Sequence, residues 1–418
     1  MHTEIEQCRI CGNPNLIPVL DLGTHYLSGV FPRVSDHLHS LTKGPLELVK
    51  CHDDDPSNAK VCHLLQLRQS YDLSEMYGDT YGYRSGLNPT MVNHLEKISR
   101  DIEKLVTFFA DDYVIDIGSN DSTLLRGYSQ QNIKLVGFDP SGEKFRKYYP
   151  HQITLIPESF SASRWRALVG DRKAKVITSI AMFYDLADPL RFMRDVYDVL
   201  ANDGVWVLEQ SYMPTMLEKV AYDTVCHEHL EYYGLAQIAW LADRVGFRMI
   251  NLTLTKVNGG SFTVTLIKNG AYGVHNSFVP RERQRKLFTL EPYHVFAQRA
   301  ERSREALLRF LDTTSSAGAR IFGLGASTKG NTLLQYCGIG SDELACIGDV
   351  NTDKFGCFTP GTQIPIVSEQ EVLTLKPDYL LVLPWHFRSF FENNSTFDDV
   401  ALVFPLPTLT IRPPRKST

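Results

Sequence analysis

Long hydrophobic runs are missing from this chain of 418 residues. Its longest apolar stretches, "YLLVL" and "VITSIAMF", have the length of a strand, which argues against a membrane-spanning helix of about 20 residues. The opening "MHTEIEQC" lacks the basic-then-apolar layout of a secretory leader, so the expected location is the cytoplasm, with no membrane partner. Charge of one sign does not dominate either: 43 Lys and Arg against 48 Asp and Glu leave a net charge of -5 with no basic block. That balance argues against a nucleic-acid partner, while leaving room for a local pocket that takes one small phosphorylated ligand. Cysteine is sparse. Eight residues scattered over this length are too few for a disulfide scaffold. Short-period repeats and low-complexity tracts are absent as well.

The chain is long enough for two or three domains, and 43% hydrophobic with 22% charged residues is ordinary globular composition. Residues 1–75 hold two cysteine pairs and turn-rich pieces such as "GNPN" and "DDDPSN", the pattern of a small metal-stapled module. Over 76–278, apolar strand-length runs ("YVIDIG", "KLVGFD", "KVITSIAM", "GVWVLEQ") interleave with amphipathic stretches ("MVNHLEKISRDIEKLVTFF", a helix after "SND", and "PLRFMRDVYDVL"). This alternation predicts an α/β fold with a doubly wound sheet, closed by two β-rich segments around "NGG". After a long charged helix the alternation restarts with "ARIFGLGAS", "LACIGDV" and "DYLLVLPW", which predicts a second, smaller α/β sheet within 279–418.

Four groups of residues carry chemistry. Cys8-x2-Cys11 and Cys51-x10-Cys62 can offer four thiolates to one tetrahedral Zn2+, a closed structural site, although the second pair is stretched and His52 and His63 are rival ligands. In "VIDIGSNDSTLL" a buried strand ends at Asp116 and Gly118, and the turn through Asn120 is expected to lead into a helix N-terminus facing a ligand. Asp139 follows about twenty residues on, where a carboxylate can accept the hydroxyls of a ribose. Asn120 and Asp121 stand where glycines would admit a pyrophosphate, so S-adenosylmethionine fits this turn better than NAD does, with a ligand-free turn as the alternative.

The third group is "IFGLGASTKGNTLL", where Gly323, Gly325 and Ala326 predict a tight turn into a helix and Lys329 a point charge beside phosphate oxygens. Gly-rich turns of this kind also occur without ligands. The fourth is "AYDTVCHEHLEYYGL". In an extended segment His227 and His229 would share a face, with Glu228 pointing the other way. Acid–base chemistry suits the group better than metal binding, since the helical spacing of paired histidine ligands is absent; a satisfied buried pair is the plain alternative.

In order, these motifs resemble the sugar C-methyltransferases of deoxysugar pathways: "CRICG…LDLG", "CHLLQL", "YGYRSG", "IGSND", "HEHLEYY", "NGGSF" and "KGNTLLQYCGI…TPGTQIPI" together span nearly the whole chain. The resemblance implies a zinc-binding N-terminus, a central Rossmann-like methyltransferase domain, and a C-terminal Rossmann-like domain that helps hold a nucleotide-linked sugar. It implies Cys8, Cys11, Cys51 and Cys62 as structural zinc ligands. Tyr83, Asp116, Gly118, Asn120 and Asp139 would form the cofactor site. His229 is the implied base, with Glu228, His227 and Tyr184 orienting it or bonding the sugar, and Tyr222, Cys226, Gly325, Lys329 and Asn331 near the substrate. The chain departs from the family pattern at Cys226 and Tyr184, where a tyrosine and a histidine are expected, and at Ser122, where a glycine is.

The expected reaction is methylation of the carbon next to the ketone, C-3′, of a nucleotide-diphosphate 4-keto sugar. A sugar O-methyltransferase and a zinc-module binding protein with an inactive methyltransferase scaffold are the rival readings. The nucleotide, the sugar and the oligomeric state stay open, a monomer included.

Overall fold

A computed structural model describes residues 2–33, 41–71, 76, 83–268 and 279–415. The expected domain limits at 75/76 and 278/279 fall on or beside segments outside these residues, as do the first two residues of "YGYRSG".

The amino-terminal module is an antiparallel sheet of β1 (Leu16–Tyr26), β2 (Lys43–Cys51) and β3 (Leu65–Leu67). The central sheet starts with β4 (Tyr113–Ile117), β5 (Lys134–Phe138), β6 (Ile153–Ile156), β7 (Ala174–Ile180) and β8 (Leu200–Ser211), all parallel. The short strand β9 (Glu231–Tyr232) leaves this domain and pairs with β3, so the histidine segment supplies the fourth strand of the amino-terminal sheet. Then β10 (Arg248–Thr255) and β11 (Ser261–Ile267) close the central sheet as an antiparallel pair, giving the order β10-β11-β8-β7-β4-β5-β6.

Parallel strands covered on both faces must be apolar at nearly every position, and Val114, Ile115, Val176 and Ile177 are fully buried accordingly. The helix Pro189–Val199 shows how the covering layer is specified. Asp188 accepts a hydrogen bond from the Arg191 backbone N–H, Pro189 occupies the first turn, and Phe192, Met193, Val196 and Val199 form the buried stripe.

The carboxy-terminal sheet consists of β12 (Ile321–Leu324), β13 (Ile347–Asp349), β14 (Ile366–Ser368), β15 (Tyr379–Val382), β16 (Ala401–Phe404) and β17 (Thr410–Arg412), in the order β14-β13-β12-β15-β16-β17. Both large sheets reverse strand order beside their first strand, between β4 and β7 and between β12 and β15. In open α/β sheets the crevice at the strand carboxyl ends of such a reversal is the usual ligand position. Among the described residues no helix is long and apolar enough to cross a membrane.

One expected element is absent. No α-helix follows "SND"; only a 3-10 turn at Leu125–Gly127 does. Asn120 and Ser122 have φ of +47° and +62°, left-handed conformations that break right-handed helical winding as it begins. Ser122 thus occupies a backbone position that a glycine adopts at no steric cost, which accounts physically for the glycine of the family pattern.

Candidate active site

The metal site is assembled from two loops. Gly12, at φ +70°, lets the chain turn so that its N–H donates to the Cys8 carbonyl at 2.9 Å, bringing Cys8 and Cys11 round together. Cys51 ends β2 and Cys62 lies in the following loop, three residues before β3. All four sulfurs lie within 4.8 Å of one another, with Cys8–Cys62 at 3.4 Å and Cys11–Cys51 at 3.5 Å. Zinc–sulfur bonds of about 2.3 Å give tetrahedron edges of about 3.8 Å, so the thiolates fit Zn2+ and leave no fifth position for substrate. The rival ligand His63 is instead buried against the Phe288 ring at 5.2 Å.

At the reversal between β4 and β7, Gly118 (φ +75°) is packed so closely that an added Cβ would lie 3.1 Å from the Met182 side chain. Asn120 is committed on three sides. Its Oδ1 accepts from Ser85 N–H at 2.9 Å, its Nδ2 donates to the Tyr83 carbonyl at 3.4 Å, and its N–H donates to Asp139 Oδ2 at 2.7 Å. The half-exposed Tyr83 is thereby held beside the turn. Ser141 donates to Asp139 Oδ1 through both N–H and Oγ, at 2.7 and 2.6 Å. That oxygen is saturated and Oδ2 retains one lone pair, so this arrangement takes one ribose hydroxyl, or two if Ser141 Oγ turns away.

Asp116 lies deeper. It is buried in the sheet, its Oδ1 accepts from Thr178 Oγ1 at 2.6 Å, and burial pushes its carboxyl up to about 7. The turn therefore fits S-adenosylmethionine through Gly118, Asp139 and the backbone, without the expected helix N-terminus. That cofactor supplies an electrophilic methyl group on a sulfonium.

The histidine segment folds as turns, not as an extended strand, and this separates its two imidazoles. Across residues 220–239 every residue is buried except His229, which is partly exposed. Its Nδ1 donates to the Thr224 carbonyl at 2.8 Å, so the neutral ring presents Nε2 as the acceptor nitrogen. Tyr184, just past β7, meets the ring edge-on at 4.5 Å, and its carbonyl accepts the Leu230 N–H at 2.9 Å. Burial brings His229 down to about 4; the Thr224 bond opposes this and the charge of Lys329 adds to it. The imidazole is thus neutral at physiological pH and able to accept a proton.

His229 and Tyr184 line a pocket that is partly open to solvent. Asn258, Gly259 and Gly260 of the "NGG" turn, with Lys329, Trp385 and His386 of the carboxy-terminal domain, form its other wall. Gly118 follows the carboxyl end of β4 and Tyr184 lies just past that of its parallel neighbour β7, so the Gly118 turn and this pocket are at the same end of the central sheet.

Other expected site residues lie elsewhere. His227 is wholly buried: its Nε2 donates to the His25 carbonyl at 3.2 Å and Tyr71 packs on it at 4.7 Å. Glu228 is buried against Gly29, with Thr328 nearby. Cys226 and Tyr222 are buried too, and Tyr222 reaches Cys337 Sγ at 3.7 Å. Asn331 is fully buried and donates to the Ser28 carbonyl at 2.7 Å, stitching two domains together. At Gly325 a Cβ would lie 2.6 Å from Pro384, so close packing of this turn on Pro384 accounts for the glycine. The local pattern gave no sign of Trp385 or His386; their place just past β15, at a strand-order reversal, is the signal that finds them.

Three family models match consecutive parts of the chain: "Putative zinc binding domain" at residues 8–77, "Methyltransferase domain" at 91–252, and "C-methyltransferase C-terminal domain" at 256–407. The C-methyltransferase NovU of Streptomyces niveus is 26% identical over 416 residues, 96% of each chain. Among solved structures, the glycopeptide N-methyltransferase MtfA complexed with S-adenosylmethionine matches 42% of this chain and 94% of its own at 14% identity, TM-score 0.32. The plantazolicin methyltransferase BpumL in complex with SAH matches 42% and 82% at 14% identity, TM-score 0.33. From residue 8 to residue 407 the chain thus matches these three domains in sequence, the last a C-methyltransferase C-terminal domain, and it aligns over 96% of its length with a relative named a C-methyltransferase.

Proposed function

We propose that the protein transfers a methyl group from S-adenosylmethionine to the carbon next to the ketone, C-3′, of a nucleotide-linked 4-keto sugar. The observation that carries this reading is the presentation of His229. One imidazole in a buried segment reaches a pocket, with its tautomer fixed by Thr224 and its other nitrogen unoccupied. A carbon next to a ketone is weakly acidic, so methylating it requires a positioned base, and a neutral imidazole is suited to that task.

His229 Nε2 takes the proton from C-3′, and the pair it releases forms the enolate with the carbonyl oxygen. The enolate carbon then bonds the methyl group, and the electron pair of the broken carbon–sulfur bond stays on sulfur. Tyr184 holds the imidazole from the side of the central sheet. The "NGG" turn and the carboxy-terminal domain enclose the sugar from the other side, shielding the charged intermediate from water.

The test is incubation with methyl-labelled cofactor and a panel of dTDP- and GDP-linked 4-keto sugars, followed by mass spectrometry. One label on a ring carbon is the expected product. Label on oxygen identifies an O-methyltransferase, and no product with any keto sugar removes the reading.

A further inference from the structure

Resting on that function, we propose that Lys329 is a catalytic residue: its ammonium hydrogen-bonds the substrate carbonyl oxygen and stabilises the enolate that forms when His229 removes the neighbouring proton. The sequence alone places this lysine on a phosphate-binding turn, and the structure removes the support for that role. Cβ atoms built at Gly323, Gly325 and Gly330 would lie 2.6, 2.6 and 2.9 Å from Ile347, Pro384 and Leu383. The glycines of the turn are therefore explained by close packing against these three side chains, without a phosphate to admit.

The lysine side chain leaves its own domain. Its Nζ donates to the carbonyl of Asn258 at 3.1 Å, across the pocket shared with His229 and Tyr184. An ammonium has three N–H donors, and one is used here. Lys329 forms no ion pair among the described residues. The acid whose charge it chiefly senses, Asp223, is fully buried, and Asp223 Oδ2 already accepts from Trp385 Nε1 at 2.7 Å. A partly desolvated positive charge with donors to spare therefore faces the cavity.

Its nearness to the base decides which anion it meets. Lys329 and His229 line the same pocket, and the charge of Lys329 lowers the proton affinity of His229. The carbonyl oxygen sits one carbon away from the carbon that loses its proton, whereas a diphosphate is separated from it by the sugar ring. Proton and electrons balance: the proton passes to His229, the electron pair moves onto oxygen beside Lys329, and methyl transfer then returns the pair to carbon. A preorganised charged donor at a developing oxyanion is worth about 10²–10³ in rate.

The test separates deprotonation from binding. The enzyme is mixed with S-adenosylhomocysteine and the keto sugar it methylates in D2O, and deuterium entry at C-3′ is followed by mass spectrometry. Wild-type enzyme should exchange. Lys329→Met should exchange at least about 100-fold more slowly at saturating sugar, with substrate Kd changed less than about three-fold, and Lys329→Arg should recover part of the rate. Thermal melting checks that the variants fold; should Lys329→Met be unstable, Lys329→Gln carries the same comparison. If the neutral variants bind the sugar tenfold or more weakly yet exchange at the wild-type rate when saturated, Lys329 holds the diphosphate and the assignment is overturned. Absence of exchange in wild-type enzyme that binds the sugar instead overturns the C-methylation reading itself.

Discussion

The Nδ1–H of His229 is held by the carbonyl oxygen of Thr224 at 2.8 Å, five residues earlier in the same buried segment. This bond fixes both the tautomer and the tilt of the ring, because rotating the imidazole would leave the Thr224 carbonyl with only the long 3.5 Å hydrogen bond from the Tyr232 hydroxyl. His229→Asn can keep a donor to Thr224 and roughly preserve the fold, while removing the basic nitrogen. Turnover should fall by at least about 10²-fold, the usual share of a positioned base, and S-adenosylmethionine affinity by calorimetry should be unchanged. Turnover near wild type would show that another group takes the proton.

The acid limb of the pH profile should lie far below that of an ordinary histidine. Burial lowers the His229 proton affinity to about 4, so the base form persists as pH falls through 6.5 and is lost only near the folded value. Stability would be a poor reporter of this. Lowered histidines such as His229 and His25 cost stability as pH drops from about 6.5 toward 4, whereas Asp116 and Asp223, raised to about 7 and about 6, give stability up as pH rises. The measurement is therefore kcat/KM against pH, which reports the free enzyme. An acid limb near 6.5 would place the ring in solvent.

The difference between what sequence showed and what it hid follows contact range. Strands such as Tyr113–Ile117 and Ala174–Ile180 were legible because a strand covered on both faces has to be apolar throughout. The cysteine cluster was legible in part: Cys8 and Cys11 form a tight local pair, whereas the ten residues between Cys51 and Cys62 left His52 and His63 as rivals that only the fold displaces. The helix expected after "SND" failed on two residues: the pattern there is helical, and the left-handed conformations of Asn120 and Ser122 are set by Ser85, Asp139 and Tyr148 from elsewhere in the chain. The pairing of His227 with His229 failed because period-2 reasoning presumes an extended chain. The far wall of the pocket was invisible, since Lys329 meets Asn258 across 71 residues and Trp385 meets Asp223 across 162.

Gly118 tests whether the turn after the first central strand holds the cofactor. Its φ of +75° costs any other residue about 1–2 kcal/mol, and an added methyl group would press on Met182 at 3.1 Å. Gly118→Ala should lower stability by about 1–3 kcal/mol and weaken S-adenosylmethionine binding as the Met182 segment shifts. Gly318→Ala is the control: φ there is +79° and the space beside it is open, so it should lower the melting temperature alone. Equal cofactor affinity in both variants would separate the turn from the cofactor.

Zinc should hold the active domain together without taking part in the reaction. Gln237 Nε2 donates to the carbonyls of Cys62 and His63 at 2.8 and 3.1 Å, and Trp240 Nε1 donates to the Ala59 carbonyl at 3.1 Å. Both side chains belong to the helix Leu235–Val245, which directly follows the histidine segment. Loosening the metal loop therefore unfastens the support of His229. Structural zinc sites bind with about 10–16 kcal/mol of apparent free energy that is available only to the folded chain, so chelation or Cys51→Ser should lower the melting temperature by ten degrees or more, and activity should disappear in parallel with folding. Cobalt substituted for zinc gives the sharper measurement. Its tetrahedral thiolate spectrum should stay the same when cofactor and sugar are added, because four sulfurs leave no place for a substrate oxygen; a spectral change on adding sugar would make the metal part of the chemistry.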